Sequence, residues 1–492
     1  MGPKNYFWEL HNSKLKILAG ETLLYGLGNM VPRLLNFFLF PIHTLFFHPE
    51  EYGVFTKLMS VVALLNIVYT FGMETAYFRF ATKPDADEKK VFNVAQTVVV
   101  SISTLFSLSF ILFASSFANL LDVPHHESYL VWLSLIMFID NVVSIPFARL
   151  RLQKKAVAFA LFRISNVVIL TGLNLYFLYV IFDPQIGISY IFIANLIANA
   201  FYLIFFFKTL TSWRPAYDRQ IFSSMIRYAY PVMLTGLAGM TNEFFSRLAL
   251  ENWLPKNFYP GKSSAYALGV FGACYKFSVL MNLAVQAFRM AGEPFFFSQS
   301  SDRNSPQLFA KVNHYFVIMC CVILLGVSIN LDVLKFLIQS PEYWEGLNIV
   351  PPLLLGYLFL GVYYNYSVWF KLTDKTYYGT IITIGGAIST MVFNMILIPI
   401  AGYYGSSLAT TLVYFSMMMA CYYFGQKYYP IPYKIFSDSL YIIATMIVIY
   451  LVNEINMESL YLSVGFHAVV ILSFLSLVYL IESKEFFKSE AT

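Results

Sequence analysis

The sequence predicts an all-α integral membrane protein of about fourteen transmembrane helices, and three observations support this fold class. Hydrophobic residues make up 58% of the 492 residues and charged residues only 12%, whereas an average soluble domain carries about 25% charged residues. Apolar segments of about 20 residues recur along most of the chain. The loops between them are shorter than the about 50 residues that a domain needs, so we expect the function to lie within the helices.

Twelve spans meet the length criterion of about 20 mainly apolar residues for one crossing. They lie at residues 53–78, 91–117, 128–148, 156–182, 187–207, 265–288, 312–331, 347–370, 377–400, 402–425, 437–453 and 459–481. Two further segments, 18–47 and 226–253, are long enough but carry polar residues and prolines. These interruptions are Glu21, Asn29, Pro32, Arg33 and Asn36 in the first segment, and Pro231, Asn242, Glu243 and Arg247 in the second.

The distribution of basic residues indicates that both polar segments cross the membrane. If they do, most of the 32 Lys and Arg residues fall on one side together with both termini, and the opposite loops hold only Lys256, Lys262 and Lys335. Basic residues concentrate in cytoplasmic loops. We therefore predict fourteen helices with both termini cytoplasmic.

A weak internal repeat predicts how the helices are grouped. The tripeptide GVF occurs at 53–55 and again at 269–271, each time after a polar span and a Pro-containing outer loop. The repeat predicts an N-lobe of helices 1–6 (1–222), a C-lobe of helices 7–12 (223–430), and helices 13–14 with the tail (431–492). Transporters are often built from two such halves, with the substrate between them.

Other classes of site have little support in the sequence. The four cysteines, Cys274, Cys320, Cys321 and Cys421, lie in apolar stretches without a CxxC motif, so we expect neither a disulfide nor a metal site. The Lys and Arg residues form short clusters between spans rather than one patch, so no nucleic-acid partner is expected. The sequence has no GxxxxGK[ST] motif, and no cofactor is predicted.

Five segments resemble polysaccharide flippases of the multidrug/oligosaccharidyl-lipid/polysaccharide (MOP) exporter superfamily, to which the MATE drug exporters also belong. In chain order they are HPEEYGVF at 48–55, GMETAYFRF at 72–80, RYAYPVMLTGLAGMTNEFFSRLAL at 227–250, YALGVFGACYKFSVLMNLAVQAFRMAGEPFFF at 266–297 and NMILIPIAGYYGSSLATTLVYF at 394–415. The resemblance covers most of the chain. It implies a V-shaped bundle of two lobes that opens alternately to each side.

The resemblance also implies a function, a location and partners. The expected function is that of a transporter, not an enzyme, which flips a polyprenyl-pyrophosphate-linked oligosaccharide across the bacterial inner membrane for surface polysaccharide biosynthesis. Partners are this lipid-linked oligosaccharide and the bilayer, with a proton or sodium ion and a polysaccharide polymerase as open alternatives. In one respect the chain departs from the family: many members have an Asp before the Arg of the seventh helix, whereas here Ser246 precedes Arg247.

Charged residues within the spans are the candidate substrate contacts, because an intramembrane charge usually marks a substrate path. Arg33 and Lys276 fall near the membrane midplane, and we expect them to bind the pyrophosphate. Arg offers a bidentate fork, and Lys a point charge. Arg247 and Lys57 are weaker candidates for the same role. The alternative for Arg33, Lys276 and Arg247 is pairing with a buried acid, whereas Lys57, about four residues below the outer surface, could extend its charged end to that surface.

Three residues are assigned to gating or ion coupling, and two to a structural pair. Glu243 lies four residues before Arg247, so the two side chains either neutralise each other or take part in gating, with Glu243 taking up a proton or sodium ion. Asn242 and Glu74 belong to the same group. Asp140 and Arg163, on consecutive helices, are expected to form a structural salt bridge.

Two other functions remain as alternatives. One is a cation-coupled multidrug exporter of the same superfamily, although a carboxylate-lined cavity would suit cationic drugs better than Arg33 and Lys276 do. The other is a membrane glycosyltransferase or polymer ligase. The short outer loops, which lack a paired-carboxylate motif, disfavour that enzyme class.

Overall fold

The computed structural model describes Gly26, Gly28 and residues 30–490 except 125, 300, 301, 303, 456 and 458, with side chains up to 483. Residues 18–25 of the first predicted span lie outside this part of the chain, as do the first residues, for which a cytoplasmic location is predicted. The described residues are mainly helical and contain no strand.

Fourteen long helices follow one another in the described residues. They are α1 (Met30–Phe46), α2 (Pro49–Ala81), α3 (Glu88–Leu112), α4 (Glu127–Leu152), α5 (Ala156–Tyr179), α6 (Ser189–Phe205), α7 (Arg219–Trp253), α8 (Ser264–Gln299), α9 (Ser305–Ser328), α10 (Pro341–Leu372), α11 and α12 (377–401 and 403–428, the two parts of Tyr377–Tyr428), α13 (Ile435–Asn453) and α14 (Leu460–Glu490). The first nine residues of α10, Pro341–Ile349, are a 3-10 helix. Shorter helices lie at Ala114–Leu120, Phe207–Ser212, Leu331–Leu334 and Lys335–Leu337.

The helices confirm the predicted fold class of an all-α membrane protein with about fourteen spans. Among the described residues, ten helices are long and apolar enough to cross a membrane when α11 and α12 are counted once. The helices α1 and α6 are apolar but shorter. The helix α7 has 35 residues and continues through Pro231, although its polar residues lower its hydropathy.

Local breaks occur where the sequence supplies glycine. In α2, Phe71 and Gly72 have φ values of 49° and 68°, so the helix bends there and restarts at Met73. A Cβ on Gly72 would meet the carbonyl oxygen of Ala229 in α7. Glycine therefore provides both the left-handed conformation and the close approach of the two backbones.

The break between α11 and α12 lies at Gly402, where φ is 54° and ψ is −133°. The predicted spans 377–400 and 402–425 separate at this position. The hydroxyl of Tyr259, in the loop after α7, lies where a Cβ of Gly402 would be. That hydroxyl also accepts a hydrogen bond of 3.1 Å from the backbone N–H of Tyr403. The loop therefore packs directly against the break.

The chain divides into two compact units, residues up to Phe244 and residues from Phe245 onwards, so that the division falls within α7. In the first unit, buried side chains of α2, α4 and α6, among them Tyr69, Leu130 and Phe192, form one core. In the second unit, Phe309 of α9 packs with Val368 of α10. The lobes 1–222, 223–430 and 431–492 remain a prediction.

Candidate functional site

Lys276 lies on α8 between two buried aromatic residues, Tyr275 and Phe277, and its own side chain is half-buried. Within the described part of the chain, its ammonium group forms no hydrogen bond and no ion pair. The charge that acts on it is that of Arg247 on α7, a second cation. Two like charges in an apolar helix bundle repel each other, and an anionic ligand would relieve this repulsion.

Arg247 is positioned by the aromatic residue next to Lys276. Its guanidinium carbon lies 4.1 Å from the centroid of the Tyr275 ring, which is the geometry of a cation–π contact. The hydroxyl of Tyr275 in turn pairs with that of Tyr357 on α10. Side chains of α7, α8 and α10 thus meet at Tyr275, the residue that precedes Lys276.

Next to Arg247, a buried cluster of neutral polar side chains joins α7, α11 and α12. The Asn394 amide donates a 3.0 Å hydrogen bond to Ser246 Oγ, and Ser406 donates one of 3.2 Å to Asn394 Oδ1. The hydroxyls of Ser246 and Thr410 lie 3.3 Å apart. All four residues are buried. Ser246 therefore takes part in a network of neutral polar side chains next to Arg247.

The neighbouring residues of α7 that were assigned to gating occupy different environments. Asn242 is buried and Glu243 is half-buried. Both have interaction partners. Their role in gating or ion coupling remains a prediction.

Arg33 and Lys57, two predicted substrate contacts of the first unit, also differ in their surroundings. The side chain of Arg33, three residues into α1, is exposed. Lys57 on α2 is buried and donates hydrogen bonds of 2.6 Å and 3.3 Å to the carbonyl oxygens of Leu121 and Asp122. These carbonyls follow the short helix Ala114–Leu120, so Lys57 satisfies acceptors at the C-terminal end of that helix.

The acids of the first unit lie near basic residues. Glu74 forms an ion pair with Arg151. Asp140 is within hydrogen-bonding reach of Asn199 and within electrostatic range of Arg163. The guanidinium carbon of Arg163 lies 4.3 Å from the centroid of the Phe147 ring. The structure thus brings Asp140 and Arg163 together as neighbours, and their structural role remains a prediction.

Sequence reasoning found the charged residues of the site but missed its neutral members. Asn394, Ser406 and Thr410 have small polar side chains that are common in membrane helices. A signal existed in the spacing of Ser406 and Thr410, four residues apart on one face of α12. Their partner Ser246 is 164 residues from Thr410 in sequence, so only the fold reveals the contact.

Three solved structures share this architecture. "Lipid II flippase MurJ, inward closed conformation" has a TM-score of 0.71 and 15% identity, over 93% of this chain and 99% of that chain. A multidrug resistance MATE family transporter of the MOP superfamily, in an inward-facing conformation, has a TM-score of 0.63 and 13% identity, over 82% and 97% of the two chains. A mutant of the Vibrio cholerae MATE transporter VcmN has a TM-score of 0.59 and 14% identity, over 85% and 97%. No curated protein sequence matches the chain.

The helices define a multi-pass membrane protein with the fold of the lipid II flippase and the MATE transporters named above. Residues 44–338, more than half of the chain, match the family Polysacc_synt_3, described as "Polysaccharide biosynthesis protein". The chain belongs to that family.

Proposed function

We propose that this protein flips a polyprenyl-pyrophosphate-linked oligosaccharide across the bacterial inner membrane by alternating access, as a step in surface polysaccharide biosynthesis. Membership of a polysaccharide biosynthesis family supports the substrate class. The fold, shared with a lipid II flippase and with MATE transporters, supports the mode of action. In this proposal the protein makes and breaks no covalent bond.

One observation carries the proposal: Lys276 is half-buried in an apolar helix, lacks an acidic partner among the described residues, and lies within range of Arg247. A lysine at the centre of a membrane helix costs about 2.5 to 3.5 kcal/mol on insertion scales. A neutral substrate would not offset this cost. A pyrophosphate offsets it through charge-assisted hydrogen bonds to both cations.

The other predicted residues take part at other stages of the proposed cycle. Arg33 and Lys57 add contacts to the anion, and Lys57 must first release the carbonyls of Leu121 and Asp122. Glu243, Asn242 and Glu74 serve gating or bind a proton or sodium ion. A polysaccharide polymerase is the proposed protein partner, and both termini are cytoplasmic.

Binding of a polyprenyl pyrophosphate to the purified full-length protein tests the proposal. We expect Lys276→Gln to weaken this binding by on the order of tenfold or more, because one charge-assisted contact is lost. The exposed Lys208 is the matched control, and Lys208→Gln should bind as the wild type does. In cells, Lys276→Gln should abolish surface polysaccharide while the amount of protein in the membrane is unchanged. Normal affinity and normal polysaccharide in Lys276→Gln would rule out this site.

A second candidate, a cation-coupled multidrug exporter, is favoured by the likeness to MATE transporters. That function predicts drug resistance in cells that produce the protein, and loss of resistance in Glu243→Gln. We expect no gain of resistance, since the cations Arg247 and Lys276 would repel a cationic drug. Resistance that depends on Glu243 would favour the exporter.

A further inference from the structure

Three ionisable side chains from three helices meet in the second unit, away from Lys276 in sequence and unused by the proposed transport site. They are His314 on α9, Asp438 on α13 and Glu482 on α14. His314 Nδ1 lies 2.5 Å from Asp438 Oδ1, and His314 Nε2 lies 3.1 Å from Glu482 Oε1. The side chains are 1%, 8% and 12% exposed, respectively. The imidazole ring thus lies between two carboxyl groups with little access to water.

A neutral histidine between two carboxylates carries one N–H proton. The geometry of the cluster requires one more. A neutral imidazole has a single N–H, and an ionised carboxylate only accepts hydrogen bonds. Both ring nitrogens face carboxyl oxygens, so two protons are needed to make both contacts hydrogen bonds. With one proton, one nitrogen lone pair would point at a carboxylate oxygen in a buried site, which is repulsive.

Neighbouring groups place the additional proton on the histidine. The Asn365 amide donates to Asn313 Oδ1 at 3.2 Å, so that the Asn313 amide nitrogen faces and donates to Asp438 Oδ2 at 3.2 Å. The Tyr441 hydroxyl donates to Glu482 Oε1 at 2.8 Å. Each carboxyl group therefore already accepts a hydrogen bond from another donor. This arrangement favours two carboxylates with a doubly protonated imidazolium between them.

We propose that His314, Asp438 and Glu482 form a proton-binding site. The bound proton stabilises the packing of α13 and α14 against α9. Imidazolium with two carboxylates has a net charge of −1, and loss of the proton leaves −2 in a buried site. The proton therefore converts a repulsive cluster into an attractive one. The inference does not depend on the substrate.

Three other titratable groups near the cluster are neutral at physiological pH, whereas the exposed lysines one turn away in sequence, Lys311 on α9 and Lys434 at the start of α13, are cations that have interaction partners. Tyr441 of α13 contacts Glu482. Cys321 of α9 and Tyr366 of α10 lie within electrostatic range of Asp438. Of the three side chains in the cluster, only His314 can carry a positive charge. No metal takes this place, because the two ring nitrogens point in opposite directions, and no group in the described residues is arranged to hold a metal ion.

The helix α14 depends on such polar contacts more than the other helices do. Only 11% of its most apolar stretch is buried, against 61% for α9. Near the other end of α14, Ser463 donates to Asp332, and His467 Nδ1 lies 3.3 Å from Asn330 Oδ1. Polar contacts near both ends therefore attach a helix that has little apolar contact with the rest of the unit.

Ring-labelled histidine in the full-length protein tests the protonation state directly by nuclear magnetic resonance. At about pH 7, where a free imidazole is mostly neutral, we expect one histidine with imidazolium shifts, and its signal should be absent in His314→Gln. His467→Gln, which removes another buried histidine of the same unit, should keep the signal. A His314 ring with neutral shifts at that pH would overturn the proposal.

Thermal unfolding as a function of pH tests whether the proton stabilises the packing of α13 and α14 against α9. The attraction exists while the imidazolium persists and is lost as the pH rises and the ring gives up its proton. His314→Gln should therefore lower the Tm by on the order of 5 °C at about pH 6, and by clearly less at about pH 10. Equal losses at both pH values would contradict the proposal. If His314→Gln does not accumulate, Asp438→Asn allows the same comparison, because it removes one of the two carboxylates and keeps the side-chain shape.

Discussion

Asn394 and Asn252 are both asparagines within helices, but their side chains form different sets of hydrogen bonds. Each donates a 2.8 Å hydrogen bond to the backbone of its own helix, Asn394 to Thr390 and Asn252 to Leu248. Asn394 is buried and also bonds Ser246 and Ser406 on two other helices. Asn252 is exposed. Only Asn394 therefore connects helices.

Replacing Asn394 should destabilise the protein, whereas the same replacement at Asn252 should not. Asn394→Ala leaves the buried hydroxyls of Ser246 and Ser406 without one of their partners, which costs about 1 to 3 kcal/mol. Asn252→Ala removes only the exposed bond within the helix. The measurement is thermal unfolding of both variants in the same detergent. A similar Tm for the two variants would contradict the connecting role of Asn394.

At the level of single residues, the sequence predicts charges better than it predicts their partners. Lys276 stands out because a lysine in an apolar span is rare and costly. The partners of His314 are 124 and 168 residues away in sequence. Asp438 lies at the start of an apolar span and Glu482 at the end of another, where acids are common as ordinary interfacial residues. No local pattern joins these residues. Their meeting depends on how α9, α13 and α14 pack.

Among the helices, the join between α11 and α12 depends most strongly on a single position, Gly402. Gly402 has a left-handed φ of 54°, and the Tyr259 hydroxyl occupies the space beside its Cα. The rings of Tyr259 and Tyr403 stack with centroids 4.6 Å apart. The loop after α7 and the start of α12 therefore pack against each other at Gly402, which has no side chain.

Gly402→Ala should disrupt the join between the two helices. The backbone conformation alone costs an alanine on the order of 1 to 3 kcal/mol, and the new methyl group also displaces Tyr259. Gly385→Ala, in the same α11, is the control. Beyond its two chain neighbours and the backbone of its own helix turn, no atom lies within 4 Å of its Cβ position, and alanine favours a helix over glycine by about 1 kcal/mol. Thermal unfolding should show a lower Tm for Gly402→Ala only.

The helices also show where hydropathy alone is insufficient. The helix α7 fails a simple apolar criterion because Asn242, Glu243 and Arg247 interrupt it, yet it is one continuous helix of 35 residues. The distribution of Lys and Arg between the loops predicts that this helix crosses the membrane. Pro231 gave a misleading signal, because a proline within a membrane helix is tolerated where neighbouring groups satisfy the freed carbonyl. Pro231 lacks the N–H that would bond the carbonyl of Arg227, four residues earlier, and the helix nevertheless continues through it.

For the whole molecule, the predicted fourteen crossings would place the two termini on the same side of the membrane. The excess of basic residues predicts that this side is the cytoplasm. Gln153, in the turn between α4 and α5, and Glu342, at the start of α10, are both exposed and are predicted to lie on opposite sides. These two positions therefore report the orientation.

Single cysteines at these positions test the orientation in intact cells. A membrane-impermeant thiol reagent should label Glu342→Cys and leave Gln153→Cys unlabelled until the cells are permeabilised. The four native cysteines are buried, so their background should be low. Labelling of Gln153→Cys but not Glu342→Cys would reverse the orientation and, with it, the direction of the proposed transport.

The hydrogen bonds of Lys57 have a consequence for biogenesis. The carbonyl of Leu121 follows Lys57 by 64 residues, and at about 5 to 20 residues per second its synthesis follows that of Lys57 by several seconds. During this interval α2 passes through the insertion machinery before the carbonyl acceptors of Leu121 and Asp122 have been synthesised. The side chain can reach the lipid headgroups in this interval by extending its alkyl chain toward the bilayer surface. Lys57 thus marks the end of α2 that stays near the headgroups until α3 and the helix Ala114–Leu120 arrive.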